Sequence, residues 1–117
     1  MEIVNQLKKL RFVDAIFLFG SKARGTARPY SDTDLCVFAG KATDAQKKKI
    51  LSFNDKNVDV VIFHELPLPI QATVFREGKQ LFMRRDNAVR DAKYYTIKRY
   101  LDFLPTLQRQ MEAILAP

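Results

Sequence analysis

Apolar positions recur along the chain at two different spacings, and the change from one to the other marks out the elements. Ile3, Val4, Leu7 and Leu10 fall three and four apart, which predicts a helix over 2–11. The run 12–19 is apolar almost without a gap, rich in strand-favouring residues and stopped by Gly20; it reads as a strand covered on both faces. Ser21 is a good N-cap for a short helical turn over 21–27, which Pro29 ends. A second strand follows over 33–38, stopped by Ala39 and Gly40. Thr43 as N-cap and Asp44 in the first turn open a helix that reaches about residue 53. The Asn-Asp-Lys-Asn sequence over 54–57 is a turn, and 58–63 is a third strand, apolar apart from Asp59. Pro67 and Pro69 bracket the entry to a short helix over 69–76, with Gly78 as its C′ residue, and 79–83 is a short last strand. From Asp86 nearly to the end, Val89, Ala92, Ile97, Tyr100, Leu101, Leu104, Leu107, Met111 and Ile114 keep a helical period. Pro105 interrupts it, so either a kink near 101–104 or two helices with a short break are expected.

This order predicts an α/β (α+β) fold: a mixed sheet of about four strands flanked by helices, with a long C-terminal helix. At 117 residues, with no linker, repeat or low-complexity segment, the chain is expected to be one domain over 1–117. The composition, 47% apolar and 28% charged, is that of a globular protein. No apolar run is long enough to cross a bilayer, and the N-terminus lacks the pattern of a signal peptide, so a cytoplasmic location without membrane contact is expected. The single cysteine, Cys36, excludes an internal disulfide and a Cys-based zinc site; it reads as a small buried apolar residue.

The net charge of +7 has two readings: solubility alone, or an anionic partner such as a nucleotide, a nucleic acid or an acidic protein. What gives the charge meaning is its position, because Lys22, Arg24 and Arg28 lie in one loop between a Gly-Ser turn and two carboxylates. Asp32 and Asp34 are two apart, so in a strand they project from the same side. Two adjacent acids raise each other's pKa unless a cation lies between them, and the hard oxygen pair suits Mg²⁺. Asp59 is the lone charge in an apolar strand, where a buried carboxylate needs a partner. If that strand lies beside the second, Asp59 joins the pair as a third metal ligand and makes room for two metal ions; it could also take a proton from an incoming hydroxyl. Gly20 and Ser21, at the end of a strand and the start of a helical turn, form a phosphate cradle. Lys22, Arg24 and Ser31 are assigned to nucleotide binding with them, and Arg28 adds charge.

Phe19-Gly20-Ser21, the Asp32-Thr33-Asp34 that follows, and Val58-Asp59-Val60 downstream together resemble the nucleotidyltransferase superfamily that includes DNA polymerase β. The short chain is similar to its minimal nucleotidyltransferase (MNT) branch. The segments 69–82, with Glu77-Gly78, and 98–105 are also similar to members of that family. The resemblance implies transfer of a nucleoside monophosphate, usually from ATP, to a hydroxyl with release of pyrophosphate. In the minimal branch the protein is commonly the antitoxin of a type VII-like pair and adenylylates a tyrosine of a HEPN-domain toxin. It further implies that Gly20 and Ser21 bind triphosphate, that Asp32 and Asp34 hold metal, and that Asp59 is the third acid. Lys22 stands where arginine is most often found, a point charge in place of a bidentate fork.

Two rivals of other classes fit the same residues: a non-catalytic module of this fold that neutralises a partner by contact, and a basic RNA-binding protein that uses the long C-terminal helix. The chain is too short for the second domain with which larger relatives hold RNA ends or small molecules. His64 reads as a loop or surface residue. Tyr94, Tyr95 and Tyr100 read as packing and partner-contact residues, and the basic residues of the last helix as a solvated face or as contacts to RNA or an acidic partner.

Overall fold

A computed structural model describes residues 1–25 and 32–115. The sequence-based assignment of Arg28, Pro29 and Ser31 lies outside the described residues. Five α-helices and four strands alternate: α1 (Glu2–Lys8), β1 (Ala15–Phe19), α2 (Ser21–Arg24), β2 (Thr33–Phe38), α3 (Asp44–Leu51), β3 (Val58–Ile62), α4 (Leu68–Glu77), β4 (Lys79–Met83) and α5 (Asp86–Leu115), with a 3₁₀ turn at Phe63–Glu65. The strands form one sheet in the order β3-β2-β1-β4. β1 runs antiparallel to both β2 and β4, while β2 and β3 are parallel, so the sheet is mixed, as expected.

Strand alternation sorts the core into two layers. Ile16, Leu35, Val37, Val60 and Ile62 meet Val4 and Leu7 of α1 and Ile50 of α3 on one face. Ala15, Cys36 and Phe38 meet Phe63, Val74 of α4, and Val89 and Ala92 of α5 on the other. The second layer is largely aromatic: Phe38 and Phe63 stack with centroids 4.3 Å apart, and Phe75 packs edge-on to Phe63 at 5.1 Å. Cys36 is buried, as its position in an apolar strand implies, and burial pushes its thiol pKa up.

Several boundaries differ from expectation. α1 ends at Lys8, not near residue 11, because the Arg84 guanidinium donates to the carbonyls of Lys8, Leu10 and Val13 and ties down the chain beyond the helix. β1 starts at Ala15, not Phe12: Asp14 is buried and takes a hydrogen bond of 2.9 Å from Arg85 Nη1, while its backbone carbonyl accepts from the N–H groups of Arg84 and Arg85. Gly78 does follow α4, but with φ −69° it is not left-handed. Glycine is required there because a Cβ would press into the Val74 carbonyl, which accepts the Gly78 N–H at 2.8 Å. α5 runs as one helix of 30 residues through Pro105, so it is not split into two helices there. The carbonyl of Leu101 loses its donor there, but Leu101 is 58% exposed, and no residue beyond Thr96 is fully buried, so water reaches the unpaired group. No helix among the described residues is long and apolar enough to cross a membrane.

Candidate active site

The register of the sheet brings the acids together. Asp34 is the second residue of β2 and Asp59 the second of β3, and the two strands pair with Asp34 directly beside Asp59. Neighbouring strands lie about 4.8 Å apart, and paired residues of parallel strands share a face, so both carboxylates lie on the α4–α5 side of the sheet. Asp32 comes just before β2 begins and is exposed, so strand alternation alone does not orient it. Its charge nevertheless acts on Asp34: burial, Asp59 and then Asp32 push the Asp34 pKa up, against a smaller pull down from Arg24 and Lys22. Asp59 is exposed, contrary to the buried carboxylate expected from an apolar strand. The reason is topological. β3 is an edge strand, so one flank of Asp59 opens to solvent and the acid needs no partner within the protein.

Gly20 closes the corner from the other side. β1 pairs with β2 so that Phe19 lies opposite Asp34, and the chain turns at the next residue. Gly20 has φ +77°, a left-handed conformation that L side chains rarely adopt, and a Cβ there would collide with Asp34 Oδ2. The Asp34 carboxylate therefore lies against bare backbone. Gly20 is also the N-cap of α2, whose first residue is Ser21, so first-turn N–H groups lie next to the acids.

Two cations assigned to the triphosphate already have protein partners. Lys22 Nζ donates to the hydroxyl of Thr33 at 2.7 Å, and Arg24 Nη1 lies 3.2 Å from Glu77 Oε2 at the end of α4. Neither Thr33 nor Glu77 was assigned a role from the sequence; only the pairing of α2 with β2 and α4 exposes them. The Arg24 side chain is 46% exposed, and surface pairs contribute about 0–1 kcal/mol, so an incoming phosphate can draw it away at small cost.

Among the described residues, no three His, Cys, Asp or Glu side chains gather into a metal cage. Magnesium does not require one, since it takes one or two carboxylates and completes its shell with water and substrate phosphates. The donor set fits it: hard carboxylate oxygens at one sheet corner, with the charge of Asp34 disfavoured by burial and by its acidic neighbours, are what a divalent cation would relieve.

A second concavity, a groove of about 1250 Å³, lies at the opposite end of the sheet, with Asp14, Gly40, His64, Arg85, Tyr95 and Arg99 among its lining. Ala15 pairs with Phe38 at that end and Phe19 with Asp34 at the other, so about 14 Å of strand separates groove from acids. His64 is exposed, as expected of a surface residue; partial desolvation is the main cause holding its pKa down. Asp14 gave the same signal in the sequence as Asp59, a lone acid in an apolar run, yet it serves the fold through Arg85.

The polymerase beta nucleotidyltransferase family model matches residues 1–87, which include β1 to β4 and all three acids. No curated protein matches the chain. Among solved structures, it is similar to a toxin–antitoxin structure with AMP-PNP (24% identity over 98% of each chain, TM-score 0.75). It is also similar to the toxin–antitoxin MntA–HepT (23% identity, 98% of this chain and 95% of that one, TM-score 0.69). A third similar structure is the tri-AMPylated Shewanella oneidensis HEPN toxin in complex with MNT antitoxin (23% identity, 98% and 94% covered, TM-score 0.70). At these identities the likeness establishes the fold, and it extends over α5 as well as the sheet.

Proposed function

The chain belongs to the polymerase beta nucleotidyltransferase family, and on that premise we propose that it is an antitoxin that transfers AMP from ATP to a hydroxyl, a tyrosine's, of a HEPN-domain toxin. The observation that carries the reading is the pairing of Asp34 with Asp59 in the β2–β3 register, with Gly20 held against Asp34. The partner class is suggested by the similar structures, one an antitoxin with an AMPylated HEPN toxin and another with AMP-PNP.

In this reading the Gly20–Ser21 turn and the start of α2 seat the triphosphate, with Lys22 and Arg24 adding positive charge. Ser31 is assigned to the same nucleotide. Asp32, Asp34 and Asp59 would hold Mg²⁺, one ion or two. The metal would supply charge neutralisation for the triphosphate and the departing pyrophosphate. The acceptor oxygen attacks the α-phosphorus, the bond to the β-phosphate oxygen breaks, and pyrophosphate leaves. Asp59, open to solvent on the edge strand, takes the acceptor proton. Asp34, against the Gly20 backbone, fixes the corner from which the phosphate is approached.

The test is transfer of label from α-labelled ATP to the cognate HEPN-domain protein in the presence of Mg²⁺. Wild type labels the partner. Asp34→Asn and Asp59→Asn each lower the rate by about a thousandfold, equivalent to about 4 kcal/mol of lost transition-state stabilisation. Undiminished transfer by either variant would remove that acid from the catalytic site, and neutralisation of the toxin by both variants without transfer would replace this reading with protection by contact alone.

A further inference from the structure

The last turns of α5 touch little of their own protein. Val89, Ala92 and Thr96 are its buried residues; beyond them only Tyr100, Phe103 and Leu107 are partly covered, and every residue from Gln108 to Leu115 is exposed. A second set of positions starts at that point. Ile97, Leu101, Leu104, Gln108, Met111 and Leu115 are spaced four, three, four, three and four apart. Five of the six are apolar, and those five are exposed by between 37% and 78%. At 100° per residue they share one narrow stripe, turned away from the packing stripe that Val89, Ala92 and Thr96 set. An apolar repeat averaging 3.5 residues is the seam against which another helix packs, and one polar position such as Gln108 fixes the register of such a pair. A lone helix in water gains nothing from this stripe, which is the kind of exposed apolar surface that marks an interaction site.

We propose that residues 97–115 of α5 are the docking arm for an all-helical partner, which lays an apolar helix stripe with acidic flanks along the arm. The identity of that partner as the acceptor toxin rests on the function proposed above. The helical class comes from the spacing of the seam. The acidic flanks come from charge: the chain carries +7, and of the charged residues flanking the seam Lys98 and Arg109 outnumber Glu112, while Arg99 and Asp102 lie toward the opposite side of the helix. A second copy with the same net charge is repelled, whereas an acidic partner is steered in. The arm thus supplies the grip on the acceptor that the acid corner, a small site on an edge strand, does not.

The experiment uses the full chain and the cognate HEPN-domain protein. Leu101→Glu and Met111→Glu alter exposed seam positions, and Ala113→Glu alters the opposite side of the same helix as a control. Circular dichroism and thermal unfolding check that all three fold. Affinity is measured by titration, and mass by sedimentation. Each seam variant is expected to bind at least about thirtyfold more weakly, the loss typical of a buried interface anchor, while Ala113→Glu binds like wild type. Asp34→Asn is expected to bind like wild type while losing transfer, which separates failure of docking from failure of catalysis. Wild-type affinity in both seam variants overturns the proposal. A wild type that sediments as a dimer through this seam, with monomeric seam variants, also overturns it and makes the occupant a second copy.

Discussion

Gly20 and Asp34 constrain each other more tightly than any other pair in the site. Replacing Gly20 by alanine forces a Cβ into a left-handed backbone, at about 1–2 kcal/mol, and drives it against Asp34 Oδ2. Gly20→Ala should therefore lower the melting temperature by several degrees and weaken Mg²⁺ binding more than it weakens the fold; calorimetry with and without metal separates the two effects. Asp34 makes a prediction of opposite sign for stability. Its native pKa is raised above the ordinary 3.8, so the native state binds the proton more tightly than the unfolded chain. Above the raised pKa the native carboxylate carries a penalty, which is lost as pH falls through the window down to 3.8. In metal-free protein Asp34→Asn should melt a few degrees above wild type at pH 7, with the gap closing below pH 4. Adding Mg²⁺ should raise the wild-type melting temperature and leave that of Asp34→Asn unchanged. The acids themselves could be read from their spacing. That Asp59 is exposed could not, because burial on an edge strand depends on which strands come to lie beside it.

At the scale of elements, the fold is held by side chains that bridge segments far apart in sequence. Arg84 holds the end of α1, and Arg85 holds Asp14 at the start of β1, so the β4–α5 junction clamps the N-terminal third. Arg85→Ala leaves Asp14 buried, with the weak Gly40 N–H at 3.3 Å as the remaining donor to its carboxylate among the described residues. The loss of a hydrogen bond to a charged group costs about 1.5–3 kcal/mol; urea unfolding should report it as a lower midpoint with an unchanged slope. Neither bridge was legible in the sequence, because partners more than 70 residues apart leave no local periodicity. The elements themselves were legible, with ends displaced by a few residues where such bridges intervene. Pro105 shows the converse: a local rule predicts a kink or a break, and exposure of Leu101 lowers the penalty that would split the helix.

The whole molecule measures 54 × 34 × 23 Å, and a 30-residue helix is about 45 Å long, so α5 sets the long dimension. Because its far half buries little, a chain shortened after Tyr100 should melt within a few degrees of the full chain, while partner association is lost. Thermal unfolding and sedimentation read the two outcomes separately. With a net charge of +7, association with an acidic partner should also slow as salt is raised from 50 to 500 mM, in stopped-flow measurements. The periods of the apolar pattern, the Gly-Ser turn and the unusual placement of three acids determined the fold class and the family, since strand, helix and turn chemistry are local and act within a few residues. The tertiary structure alone decided that β2 and β3 are parallel neighbours in the register that joins Asp34 to Asp59. It also decided that Lys22 and Arg24 have partners within the protein, and that the end of α5 leaves an apolar seam uncovered. Those outcomes depend on which surfaces meet across the chain, and a linear pattern shows which residues are apolar or charged but not what comes to lie against them.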